Sequence, residues 1–132
     1  MSALTLLNLQ DSFAVSKLPA DSPIPAWATS GSLVSITRTR DELSIVCREE
    51  DVPVDVTCCE RAWRCLRVAG QIDFSLVGIL ASLVNPLAKA GIPVFVLSTF
   101  DTDYLLIKAE SFEMAVKTLH DVGHHLDFTT RV

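Results

Sequence analysis

From Trp63 onward the apolar residues switch between a period of two and a period near 3.6, and the order of those switches leaves few folds open. Trp63, Cys65, Leu66 and Val68 mark a strand ending at Gly70, and Asp73-Phe74-Ser75 supplies helix caps. In the run that follows, Leu76, Ile79 or Leu80, Leu83 and Leu87 recur three or four residues apart, as on one apolar helix face. The helix closes at Ala90-Gly91, since glycine tolerates the left-handed C-cap conformation. Pro86 removes one backbone hydrogen bond, so the helix either bends near Ser82 to Asn85 or ends before it. Val94-Phe95-Val96-Leu97 is a fully apolar strand, Ser98-Thr99-Phe100-Asp101-Thr102 a polar connection, and Tyr104 to Ile107 a second strand. Phe112, Val116 and Leu119 line one side of a second helix opening at Ser111, and His125 to Thr129 can supply a closing strand.

Strand, helix, strand, strand, helix, strand is a split βαβ order. It predicts an α+β, ferredoxin-like unit with both helices on one face of a four-stranded sheet. The preceding residues are rich in β signals. Leu4 to Leu9 and Phe13 to Leu18 read as two short strands parted by a Gln10-Asp11-Ser12 turn. Pro19 to Pro25 holds three prolines in seven residues and is expected to be irregular, with one helical turn at Ala26-Trp27-Ala28. Leu33 to Thr37 and Leu43 to Arg48 form an antiparallel hairpin about the polar Arg38 to Glu42 connection, and Glu49-Glu50-Asp51 is a solvated loop. The expected division is residues 1–60, a β-rich half reading as a degenerate copy that has lost helix length, and residues 61–132, the βαββαβ unit.

The 132 residues are 49% hydrophobic and 20% charged, ample for a packed core. A net charge of -5 with scattered positive residues excludes a nucleic-acid surface; Arg38 with Arg40, and Arg61, Arg64 and Arg67, read as solvated faces. No apolar run reaches the ~20 residues of a membrane span, and Met1 to Leu9 has no basic leader, so a soluble cytoplasmic protein is expected. Cys47, Cys58, Cys59 and Cys65 contain no CxxC pair and read as reduced thiols. His120 and His124 are four apart, but Gly123 and the helix end intervene, so neither a metal nor a cofactor is expected. With no GxSxG elbow, phosphate loop or placed Cys-His pair, no residue is assigned a catalytic role and the chain is not expected to be an enzyme.

At Gln71 to Leu80 and Gly91 to Tyr104 the chain resembles the ACT domain family, specifically small tandem-ACT proteins of the subtype shared with CASTOR-type arginine sensors. The resemblance runs from about Trp63 to His124 and more loosely over Phe13 to Val52. It implies regulatory binding of an amino acid or similar small metabolite between paired ACT units, within the chain or across a homodimer, without chemistry. The strand edges of so small a unit favour the homodimer, and a regulated protein partner is the expected listener. A ligand-free module acting only through protein contacts is the alternative.

Elementary chemistry points to the same place. The first amides of a helix lack intrahelical partners and carry partial positive charge, so a ligand carboxylate fits there, and Gly78 allows close approach. Opposite, the Thr99 hydroxyl and backbone groups can hold an amino group, while Asp101 and Asp103 can neutralise a cation. The expected ligand contacts are Val77, Gly78, Ile79, Ser98, Thr99, Phe100, Asp101 and Asp103. In the resemblance Asp103 takes the acidic place of the Ser-Thr-Phe-x-x-Asp motif. The sensors also carry an acid close to the helix glycine, where this chain has Leu76, which weighs against arginine itself. Simpler readings stand beside these: Gly78 as a packing glycine, Asp101-Thr102-Asp103 as an ordinary turn, Phe100 and Tyr104 as core or interface anchors.

Overall fold

The computed structural model describes residues 3–70 and 78–132. Among them run β1 (Thr5–Leu18), β2 (Ser35–Arg38), β3 (Leu43–Arg48), β4 (Cys59–Val68), α1 (Ile79–Lys89), β5 (Phe95–Ser98), β6 (Asp103–Lys108), α2 (Phe112–Asp121) and β7 (His125–Asp127). They group into two compact units. Asp11–Trp63 forms one; the other takes the chain up to Gln10 and again from Arg64 on. In sequence, the first unit is thus inserted into the second.

In the C-terminal unit the strand order is β7-β1-β4-β6-β5. Leu66 and Val68 of β4 and Leu105 and Ile107 of β6 alternate onto one face, where they meet Leu83 and Leu87 of α1 and Phe112, Ala115 and Leu119 of α2. Each of these side chains apart from the small Ala115, once buried, contributes roughly 1.5–3 kcal/mol. The two helices therefore share a face of the α+β, ferredoxin-like unit, as the periodicity predicts. The sheet differs by one strand. β7 pairs not with β4 but in parallel with β1, Thr5 opposite His125 and Leu7 opposite Asp127.

Both helices end the same way. Gly91, at φ 76°, follows α1, and the amides of Gly91 and Ile92 bond the carbonyls of Ala88 (3.0 Å) and Leu87 (2.9 Å). Gly123, at φ 103°, follows α2, with its amide on His120 O (2.9 Å) and that of His124 on Leu119 O (3.0 Å). These are paired Schellman closures, in which a left-handed glycine lets the chain cap its own last carbonyls. Of the two outcomes open at Pro86, α1 does not end before it; the helix runs through it to Lys89. The carbonyl that Pro86 leaves without an amide is that of Ser82, and His124 Nε2 lies 3.1 Å from it. His124 Nδ1 accepts the Leu4 amide at 3.1 Å, so the proton sits on Nε2 and is donated to Ser82.

The inserted unit is built from the rest of β1, the start of β4 and the β2–β3 hairpin, around a core of Ala14, Ala28, Leu43, Ile45, Cys47 and Val52. The hairpin is antiparallel, Ser35 opposite Val46 and Arg38 opposite Leu43. Two 3-10 turns, Ala26–Ala28 and Glu49–Asp51, are its helical content. Gln10-Asp11-Ser12 is not a turn but part of β1. With no glycine or proline to break it, the triplet stays extended, and Asp11 accepts the Ser32 hydroxyl at 2.9 Å. The acidic Glu49-Glu50-Asp51 segment is fastened rather than simply solvated. Arg48 grips Asp51 through Nε (2.8 Å) and a terminal nitrogen (3.2 Å), and Glu49 accepts the amide of Ala62 at 2.6 Å, where β4 takes a left-handed φ of 64°. Several arginines expected on solvated faces are also tied down by hydrogen bonds, Arg38 while staying exposed and Arg61 and Arg64 while half-buried. Arg38 donates to the carbonyls of Ala20 and Ser22, and Arg61 to that of Pro53 (3.1 Å). Arg64 donates to Asn8 Oδ1 at 3.0 Å and lies over the Phe112 ring, 4.3 Å from its centroid.

Candidate functional site

The β5–β6 connection is a tight, internally bonded turn. Thr99 donates its amide (2.9 Å) and hydroxyl (3.1 Å) to the Thr102 carbonyl, and that hydroxyl accepts the Thr102 amide at 3.3 Å. Ser98 and Asp103 face each other in register below the turn, and the Ser98 hydroxyl donates to Asp103 Oδ1 at 2.6 Å. Thr102 turns inward, 4% exposed, and its hydroxyl donates to the Val68 carbonyl at the end of β4, 2.8 Å away. The turn is thus held against the strand from which the chain continues toward α1.

The structure brings Ser98, Thr99 and Asp103 together, with Phe100 76% exposed at the tip and Asp101 exposed beside it. The Thr99 hydroxyl is already engaged as donor and as acceptor, so one lone pair remains for any ligand. Asp103 keeps its second oxygen, which has no bond among the described residues. Val77 lies outside the described residues, as do the expected caps at Asp73 to Ser75. The described helix begins at Ile79, with Gly78 as its N-cap at φ 79°, ψ -1°, a conformation that favours glycine whether or not a ligand approaches. The first helical bond runs from the Ser82 amide to the Gly78 carbonyl at 3.0 Å, so the amides of Ile79, Leu80 and Ala81 have no acceptor within the helix.

Among the described residues, an open cleft of about 430 Å³ runs along α1 from Gly78, at the candidate site, past Ser82, Asn85 and Lys89, with Val122 beside it; another of the same volume, in the inserted unit, is lined by Ser16, Lys17, Cys58 and Cys59. In the latter the Ser16 hydroxyl donates to Cys59 Sγ at 3.3 Å. Burial pushes the Cys47 thiol up to about 11, helped by the charge of Asp51, and that of Cys65 up to about 12. Of the histidines considered for a metal, His124 has both ring nitrogens committed to backbone groups. Thr102 and His124 were not singled out from the sequence for these tasks. The signal for His124 was present: Pro86 announces an orphan carbonyl four residues back, and a buried orphan requires a donor.

Comparison with known proteins places the chain. The family model described as ACT domain matches residues 59–121, and a model of an N-terminal domain matches residues 11–55. A solved structure of an Agrobacterium tumefaciens protein is 40% identical, with a TM-score of 0.92, over 99% of this chain and 97% of that one. The regulatory subunit of aspartate kinase from Thermus flavus shares the fold at 12% identity, with a TM-score of 0.63, over 92% of this chain and 99% of that one. The human cytosolic arginine sensor for mTORC1 subunit 1 is 34% identical over 58 residues, which are 43% of this chain and 18% of the sensor. The match to that curated relative therefore spans less than a fifth of its length.

Proposed function

Because the chain belongs to the ACT domain family, we propose that it is a non-catalytic regulatory module that binds an amino acid or similar small zwitterion. The observation that carries this reading is the fastened Ser98 to Asp103 turn, with a carboxylate oxygen of Asp103 left over for a cation. The ligand carboxylate goes to the amides at the start of α1, around Gly78 and Ile79, where the helix dipole favours negative charge. Its ammonium or cationic side chain goes to Asp103, with Ser98, Thr99, Phe100 and Asp101 shaping the wall. The arginine sensor among the similar proteins supports an amino acid as the ligand class. The protein works in the cytoplasm as a homodimer, signalling to a protein partner. β5 ends the strand order of the described residues, and the end of a sheet is where a second copy can add.

A thermal-shift screen of the twenty L-amino acids tests the proposal. A ligand at a hundredfold over its Kd adds about 2.7 kcal/mol of stability, and Asp103→Asn is expected to lose most of that gain for a ligand with a cationic end. No shift with any of the twenty would sink the amino-acid reading. A ligand-free interaction module is the second reading, favoured by the 76% exposure of Phe100.

A further inference from the structure

Thr102 lies outside the proposed set of ligand contacts, yet its bonds run both within the turn, to Thr99, and outside it, to Val68. Its amide and carbonyl close the turn on Thr99, and its buried hydroxyl reaches a carbonyl 34 residues away in sequence. A hairpin connection closes through its main chain alone, as the Thr99 amide to Thr102 carbonyl bond does here. The hydroxyl bond to Val68 is therefore additional to hairpin closure. It joins the turn to the end of β4, the strand that leads on to α1.

We infer that Thr102 is the positioning residue of the proposed ligand site, fixing the Ser98 to Asp103 turn against the end of β4 through its hydroxyl bond to the Val68 carbonyl. The inference rests on the amino-acid reading above. Thr102 touches no ligand itself; it keeps Asp103 and Thr99 where one can meet them. A site on loops is only as well ordered as the bonds that hold those loops.

The test compares wild type, Thr102→Val and Thr102→Ser, each titrated with the twenty L-amino acids and followed by amide hydrogen exchange. Thr102→Val keeps the shape and loses the donor; it is expected to weaken binding about tenfold and to lower protection of the Thr99 amide. Thr102→Ser restores both. Val116→Ala, on α2, serves as a control that lowers the melting temperature and leaves affinity unchanged. Should the valine variant fail to fold, Thr102→Ala removes the hydroxyl without setting a methyl against the Val68 carbonyl and serves the same comparison. If wild type binds and the variant lacking the hydroxyl binds within twofold of it, or if serine fails as valine does, Thr102 loses this role while the ligand reading stands. If wild type binds none of the twenty, the ligand reading falls and the positioning role falls with it.

Discussion

Cys65 shows how far one buried side chain sets a pH limit. Wholly enclosed, its thiol is held neutral to about 12, against an ordinary value of 9.0. The folded value lies above the unfolded one, so the stability that follows from the neutral thiol is fully present below about pH 9 and is lost as pH rises toward 12. A denaturant series from pH 8 to 11 should show stability falling, with this thiol contributing up to about 1.4 kcal/mol per pH unit. Cys65→Ala should flatten that slope; an unchanged slope would assign the alkaline loss to other groups. The exposed Cys58 has no such protection and should be alkylated first. The sequence offered four thiols without a pairing pattern, but it placed Cys65 among the apolar residues of its strand and Cys47 in phase with Leu43 and Ile45, which is where the enclosed thiols lie.

Helix α1 illustrates what an element's own sequence reveals and what it leaves to its neighbours. Its apolar stripe and its glycine stop were legible because both are local. The outcome at Pro86 was not, since it turned on whether a donor stood ready at the Ser82 carbonyl. His124, three residues past α2, supplies it. Replacing His124 by Phe strips both Ser82 and the Leu4 amide of a partner and is expected to cost about 2–4 kcal/mol in a urea melt. In a Pro86→Ala background the restored amide can bond Ser82 itself, so the same substitution should cost about 1 kcal/mol less. Equal costs in the two backgrounds would mean that proline and histidine are not coupled. The Ser98 to Asp103 turn was legible in the same partial way. Its composition marked a candidate site, but the fastening through Thr102 depends on β4, 34 residues earlier.

At the scale of the molecule, the two helices and the β5–β6 hairpin were read correctly from residue periods, because each period reports its own burial. That Thr5 to Gln10 would serve as an inner strand of the C-terminal unit was not legible. Strand periodicity says which face is buried and nothing about which strand lies alongside. The consequence is testable. Residues 61–132 alone lack the strand between β4 and β7 and should give no cooperative melt, whereas residues 64–132 continued through a flexible linker into residues 3–10 should regain one. Cooperative unfolding of the 61–132 piece alone would show that β1 is dispensable.

The parallel pairing of β1 with β7 also sets a timetable during synthesis. Leu4 bonds a side chain 120 residues further on. At ~5–20 residues per second a ribosome takes roughly 6–24 s to cover that distance. The inserted unit has all its strands once Trp63 has emerged, while the outer unit must keep its first strand waiting, with its edge open, until the last one arrives.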